Sequence, residues 1–329
     1  MKSFLIAIFT AAATILTVSC HKPSRYITVE GLMIGTTFHI VANTELDSGT
    51  IYAEVMAIDS IASNSMSIFN PNSLLSRINN NSTDTLDIHL LRNIAVAAEI
   101  NKLSSSAYDI TVKPLTDAYG FAAKNRSEHP NIDSLLQFVG FDKFRVDGSR
   151  IIKSDSRLQL DLNSIAKGYT VDLVADRLEA LGCRDYIVEI GGEIRAAGKN
   201  SKGNQWRIGV DTPFEGNQNP GEYRQSIVHI SDKALATSGN YRRYYTDSQG
   251  NKVVHTINPK TGKSVVSTLL SATVVTQRCV EADALATMFM VMGTEAATEL
   301  ATALADKGIM VYFIIADGEE YKIFSTLEN

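Results

Sequence analysis

Asp283 and Thr287, in the run EADALAT, stand four residues apart, so a helix would bring their side-chain oxygens onto one face. Two hard oxygen ligands suit magnesium, which takes one or two carboxylates and completes its shell with water and phosphate oxygens. Glu281 and Asp283 would equally complement the N-terminal dipole of an apolar helix without any ligand. A second run, DLNSIAKGYTVDLVADRLEALG from Asp161 to Gly182, puts Lys167 and Gly168 in the first turn of a helix. A cation there is disfavoured by about 0.3–1 kcal/mol unless an anion is close, and a bound phosphate would reverse that sign. Gly168 costs about 1 kcal/mol relative to alanine, which is tolerable where a ligand or another backbone must approach. An exposed lysine beside a packing glycine is the alternative.

Three further groups have chemical potential. His255 in VVHTINPKTG could accept a proton from a hydroxyl, or simply pack within a strand. Gly191 and Gly192 in VEIGGEI mark a close backbone approach to a ligand or a tight hairpin. ALATSGNYRRYY offers Thr237, Ser238, Gly239, Arg242 and Arg243 for contacts to an anion, or forms an exposed turn.

The elements that must position these residues follow from periodicity. RLQLDL reads as a strand entering at Asp161, and Asn163 or Ser164 can cap the helix after it, which ends at Gly182. TVEGLMIGTTFHIVAN reads as a strand pair, and helices are expected over about 50–63, 87–103 and 295–307. Pro114 limits regular structure around SAYDITVKPLTDAYGFAAK. Hairpin-like strands interspersed with helices, without strict βαβ alternation, predict an α+β fold. One domain of mixed, largely antiparallel sheets packed with helices is expected over 26–329.

The chain of 329 residues is 44% hydrophobic and 20% charged, which allows a large core. Its net charge of -5 gives no basic footprint, so nucleic acid is not an expected partner. Residues 1–20 read as a secretory signal: Lys2, an apolar run, then Ser19 and Cys20 in a lipobox-like end. Cys20 would be lipidated, with a short tether over 21–25. Thr17 stands where such a box usually has leucine. Cys183 and Cys279 then remain, either as a disulfide or as two buried thiols, with no Cys/His cluster to hold zinc. Gly262-Lys263-Ser264 has the end of a P-loop, but Ile257 occupies the first glycine's place, and HExxH and GxSxG are absent.

Taken in order, IGTTFHI, SIFNPNSLLSRIN, AYDITVKPL, the Lys167 helix, HTINPKTG and DALAT resemble the ApbE-like family of FAD:protein FMN transferases, often exported lipoproteins. The resemblance implies FAD in a central cleft, contacted by Ile34, Phe69, Ala107, Tyr108, Asp109, Asp161, Lys167 and Ile257. It implies magnesium held by Ser164, through its main chain, with Asp283 and Thr287. Leu74 and Asn258 replace residues that are commonly acidic in the family, and Ile34 replaces a frequent methionine. The implied reaction joins a target protein's serine or threonine oxygen to the FMN phosphorus and releases AMP, with Asp283 or His255 taking the proton and Lys167 stabilising charge. Implied acceptors are flavoprotein subunits of membrane electron-transport complexes, of the sodium-pumping NADH:quinone reductase or Rnf type. An enzyme anchored through Cys20 on the periplasmic side of a bacterial membrane suits them. An FAD pyrophosphatase and a non-catalytic, lipid-anchored flavin-binding protein are the alternative readings.

Overall fold

The structure, a computed structural model, describes residues 25–122, 126, 130–213, 224–241 and 244–327. The expected signal segment with Cys20, most of the expected tether, and Arg242 and Arg243 lie outside the described residues.

β1 (Tyr26–Met33) and β2 (Thr36–Asn43) form a hairpin closed by Ile34 and Gly35. α1 (Ser48–Ser65), α2 (Leu74–Asn79) and α3 (Ile88–Leu103) follow, each started by a side chain that accepts a first-turn N–H: Asp47, Ser73 and Asp87. α4 (Lys113–Ala118) and α5 (Ile132–Leu136) lead through a 3-10 turn at Phe141–Lys143 to a small hairpin, β3 (Phe144–Asp147) with β4 (Arg150–Lys153). α6 (Ala166–Ala180) precedes a second hairpin, β5 (Tyr186–Ile190) with β6 (Glu193–Ala197). β7 (Trp206–Asp211) pairs with β8 (Arg224–Ile230), β9 (Lys233–Gly239) follows, and β10 (Tyr244–Thr246) pairs with β11 (Lys252–Val254). The chain ends with β12 (Leu269–Thr276), α7 (Cys279–Met292), α8 (Thr294–Ala305), β13 (Met310–Asp317) and β14 (Glu320–Ser325).

Eight strands make one sheet in the order β1-β2-β5-β6-β9-β12-β13-β14, and every neighbouring pair in it is antiparallel. The α+β architecture is therefore as the sequence predicts. The two-residue side-chain period divides the core between the sheet's faces. Phe38, Ile40, Tyr186, Val188, Ile190 and Ala234 pack with α1 and α6, while Ala236, Ala272, Val274, Val311 and Phe313 pack with α7 and α8. On the opposite face Ile194, Ala196, Leu235, Val275 and Ile314 meet Trp206, Ile208 and Val228 of the β7–β8 hairpin. In β6 this alternation leaves Glu193 and Arg195 on the helix face, where each finds a charged partner from α6 or its first turn.

Two local expectations are overturned. RLQLDL joins no ladder: the Asn79 side chain accepts from the Leu160 N–H at 2.7 Å and donates to its carbonyl at 2.8 Å, and the Asp161 N–H goes to the Ile110 carbonyl. One amide side chain thus supplies the pairing a strand would have given. Pro114 does not prevent a helix but sits in the first turn of α4, where its missing N–H costs nothing.

α7 begins without a cap from its own Arg278. Asp172 of α6 supplies it instead, accepting from the Cys279 and Val280 N–H groups at 3.1 and 3.0 Å. Its carboxyl also faces Arg195 and Arg278 at 3.2 and 3.4 Å, with the aspartate side chain fully enclosed. Asp172→Asn keeps the shape and loses the charge, so we expect a loss of about 2 kcal/mol, read as a shift of the urea midpoint at constant slope.

Candidate active site

Lys167 falls in the first turn of α6, as its sequence position predicts, but neither Asn163 nor Ser164 caps the helix; Ile165 holds that place without a side-chain bond. The loop bends there because the Asp161 carboxyl accepts from the Asn163 N–H at 2.9 Å and from the Thr116 hydroxyl at 3.0 Å. The anion that the lysine's position calls for is supplied by the protein. Glu193 Oε1 lies 2.6 Å from Lys167 Nζ, with Glu193 only 5% exposed and Lys167 36% exposed. Burial works against the Lys167 ammonium, but the charges of Glu193 and Asp283 outweigh it and raise its pKa. One of its three N–H donors serves Glu193.

Gly168 settles which partner comes close. A methyl group there would lie 2.3 Å from the Cys279 carbonyl oxygen and 2.7 Å from the Asp283 Cβ, so the α6 backbone meets both the backbone and a side chain of α7 at this point. The Gly168 N–H donates to Asp283 Oδ2 at 2.9 Å. Asp283 is 4% exposed. Burial, with the nearby Glu193 charge, pushes its carboxyl up to about 7, against the pull of Lys167 and the Gly168 bond. One helical turn on, the Thr287 hydroxyl lies 3.2 Å from the Ser238 hydroxyl of β9. The Thr237 hydroxyl is engaged with Thr273 of β12 at 2.9 Å.

The 107–109 segment borders the same cluster. The Tyr108 hydroxyl is 2.9 Å from the Ser164 hydroxyl. Burial pushes the Tyr108 phenol far above its usual range, and Asp283, Asp161 and Asp109 all add to that push. Asp109 accepts from the Thr111 N–H and hydroxyl at 2.8 and 2.7 Å, yet burial still raises its carboxyl, as it does that of Asp161. Burial thus raises three carboxyls, all of which act on the one phenol, and Asp283 acts on the lysine as well. A cation bound among them would favour their ionised forms. Among the described residues no three His, Cys, Asp or Glu side chains converge into a metal cage, so a bound cation would rely on oxygens of other kinds. A cavity of about 340 Å³ adjoins Asp109, lined also by Asn101, Ser106, Phe141, Asp142 and Lys260.

Ile257 is buried with Leu115 and Val139, next to α4. The HTINPKTG loop is organised by Asn258, whose side-chain oxygen accepts from the Lys260 and Thr261 N–H groups at 2.9 and 3.2 Å. A carboxylate oxygen at this position could accept the same two bonds. His255 meets the Phe121 ring edge to face at 6.2 Å. Ala107 is half-buried, Ile34 is wedged against both helical core clusters, and Phe69 stands 66% exposed. Leu74 packs onto the core rather than offering charge. Gly191 and Gly192 form the β5–β6 turn with φ of 61° and 103°, the tight-hairpin reading. Cys183 and Cys279 are two separate buried thiols.

Glu193 and Asp172 were not legible as site and scaffold residues beforehand. The only sequence signal for Glu193 is its place directly after a Gly-Gly turn, where the strand period aims it at whatever helix covers the sheet.

The ApbE family matches residues 34–313. The chain is similar to the FAD:protein FMN transferase of Haemophilus influenzae, at 34% identity over 96% of this chain and 94% of that one. It is similar to the protein of the same name from Vibrio cholerae, at 32% identity over 99% and 97%. Among solved structures it resembles the flavin transferase ApbE from Vibrio cholerae, with a TM-score of 0.81, 31% identity, and 92% and 97% of the two chains covered. The flavinyl transferase ApbE of Pseudomonas stutzeri, in apo form, gives a TM-score of 0.81 at 29% identity over 92% and 95%. A match that runs from the β1–β2 turn into β13 and includes every residue of the Lys167–Asp283 cluster leaves one assignment: the chain belongs to the ApbE family.

Proposed function

We propose that this chain is an FAD:protein FMN transferase, which moves FMN from FAD to a serine or threonine hydroxyl of a flavoprotein and releases AMP. The observation that carries the reading is the cluster of half-buried Lys167 and Thr287 with buried Glu193 and Asp283, built where the family match runs through α6, β6 and α7. Relatives that it matches over nearly the full length of both chains bear that activity as their name.

The donor set fits a small hard cation. Asp283 gives one carboxylate, Thr287 a hydroxyl one turn away, and Ser164, its own hydroxyl taken up by Tyr108, has its main-chain carbonyl to offer. Magnesium bound there would stabilise charge on the pyrophosphate oxygens. Lys167 is held by Glu193 with N–H groups to spare for a phosphate oxygen, and so places positive charge where it develops. The hydroxyl oxygen of the acceptor attacks the FMN phosphorus and forms the new P–O ester bond. The bridging P–O bond breaks, its electron pair leaves on the AMP phosphate, and the hydroxyl proton passes to Asp283 or His255. Asp283 contacts the Lys167 helix directly, through the Gly168 N–H.

Anchorage through Cys20 and acceptors in membrane electron-transport complexes belong to the same proposal. No described helix is long and apolar enough to cross a membrane. The test mixes the chain from residue 21 onward with FAD, magnesium and a candidate subunit, following intact mass and AMP together. One FMN gained per AMP released supports the transferase. AMP with free FMN and an unlabelled acceptor favours FAD hydrolysis, and neither product leaves a binding protein.

Lys167→Met is expected to slow AMP release by about 10²-fold, since it removes one preorganised charge. It also leaves the buried Glu193 without its ammonium, so stability falls. Adding Glu193→Gln should recover the melting temperature and not the rate, a split read by thermal melting beside the AMP assay.

A further inference from the structure

Ile34 has φ 42° and Gly35 φ 79°, so the two-residue turn of the β1–β2 hairpin has both central residues in the left-handed region. Hairpin turns of this kind favour asparagine and glycine, and a β-branched residue at positive φ is an outlier. Such a conformation persists only where its surroundings hold it. Here the hold is specific. The Ile34 N–H donates to Asp59 Oδ1 at 2.7 Å, from the fourth turn of α1 across 25 residues.

The turn sits beside the site. β2 pairs with β5, the Gly191 N–H donates to the Thr37 carbonyl at 3.0 Å, and a methyl on Gly191 would lie 2.8 Å from Thr36 Cγ2. The Ile34–Gly35 turn and the Gly191–Gly192 turn are thus neighbours, and the second leads directly into Glu193, the partner of Lys167.

We infer that Asp59 is a positioning residue: it clamps the Ile34 turn in its disfavoured conformation and so fixes the Ile34 side chain where FAD binds. The inference rests on the FMN-transferase reading for what Ile34 touches. Asp59 itself meets no substrate.

The test measures FAD affinity by flavin fluorescence, with kcat and KM for AMP release, on wild type, Asp59→Ala, Asp59→Asn, Ile34→Gly and the Asp59→Ala/Ile34→Gly pair. Asp59→Ala should weaken FAD binding and raise KM about tenfold with kcat within about twofold, as expected for lost positioning rather than lost chemistry. Asp59→Asn keeps an acceptor oxygen and should restore affinity. Glycine needs no clamp at positive φ, so Asp59→Ala should add nothing once Ile34 is Gly. Equal FAD affinity in wild type and Asp59→Ala overturns the inference, as does an additive double variant or an Asn variant as weak as the Ala one. A wild-type chain without FAD affinity overturns the FMN-transferase reading first, and this one with it.

Discussion

Asp283→Asn is expected to cut magnesium-dependent AMP release by about 10³-fold or more while raising the melting temperature of the metal-free protein. The two effects have one cause. The carboxyl is buried and pushed up to about 7, so its ionised form is disfavoured in the fold. An acid whose folded pKa lies above its unfolded value binds more protons when folded. Its contribution is fully present below about pH 4 and is lost as pH rises toward 7. Asparagine keeps an oxygen for the Gly168 N–H and does not ionise. The variant's thermal advantage should therefore widen from pH 4 to 7 and then level off. Magnesium should raise the wild-type melting temperature and leave that of Asp283→Asn unchanged. A variant that still releases AMP at the wild-type rate would remove Asp283 from the metal and proton roles alike.

Gly168→Ala should cost about 3 kcal/mol or more, although alanine is the better helix former by about 1 kcal/mol. The added methyl would meet the Cys279 carbonyl oxygen at 2.3 Å and the Asp283 Cβ at 2.7 Å, and a backbone carbonyl within a helix cannot swing aside. α6 and α7 must separate, which stretches the Gly168–Asp283 bond and disturbs the capping of α7 by Asp172. Denaturant melts and AMP release should fall together. A stabilised, active Gly168→Ala enzyme would show that the two helices are free to shift.

Much of the fold was written in local patterns. Alternation along FHIVA and YIVEI, and the i, i+4 spacing of Asp283 and Thr287, depend only on neighbouring residues, so the hairpins and the α7 face could be read directly. What escaped were contacts between distant segments. Nothing near Lys167 indicates that its counter-charge is Glu193, 26 residues on, and nothing near Arg278 indicates that its helix is capped from Asp172. RLQLDL carries a strand's alternation, yet Asn79 satisfies its backbone from 81 residues away and no ladder forms. The helix over 50–63 was read short because Asp47 caps it from a polar stretch without apolar period.

The cross-helix cap has a consequence for how the chain acquires its activity. Asp172 meets Cys279 and Val280 across 107 and 108 residues, and Gly168 meets Asp283 across 115. Closing so long a loop costs entropy before any contact rewards it, and folds rich in such contacts form slowly. Local hairpins and helices can appear while the chain is still incomplete; the Lys167–Asp283 cluster cannot. An emerging or half-folded polypeptide consequently holds no assembled cluster, and any activity that depends on it begins only after β12 and α7 have docked against the earlier half of the chain.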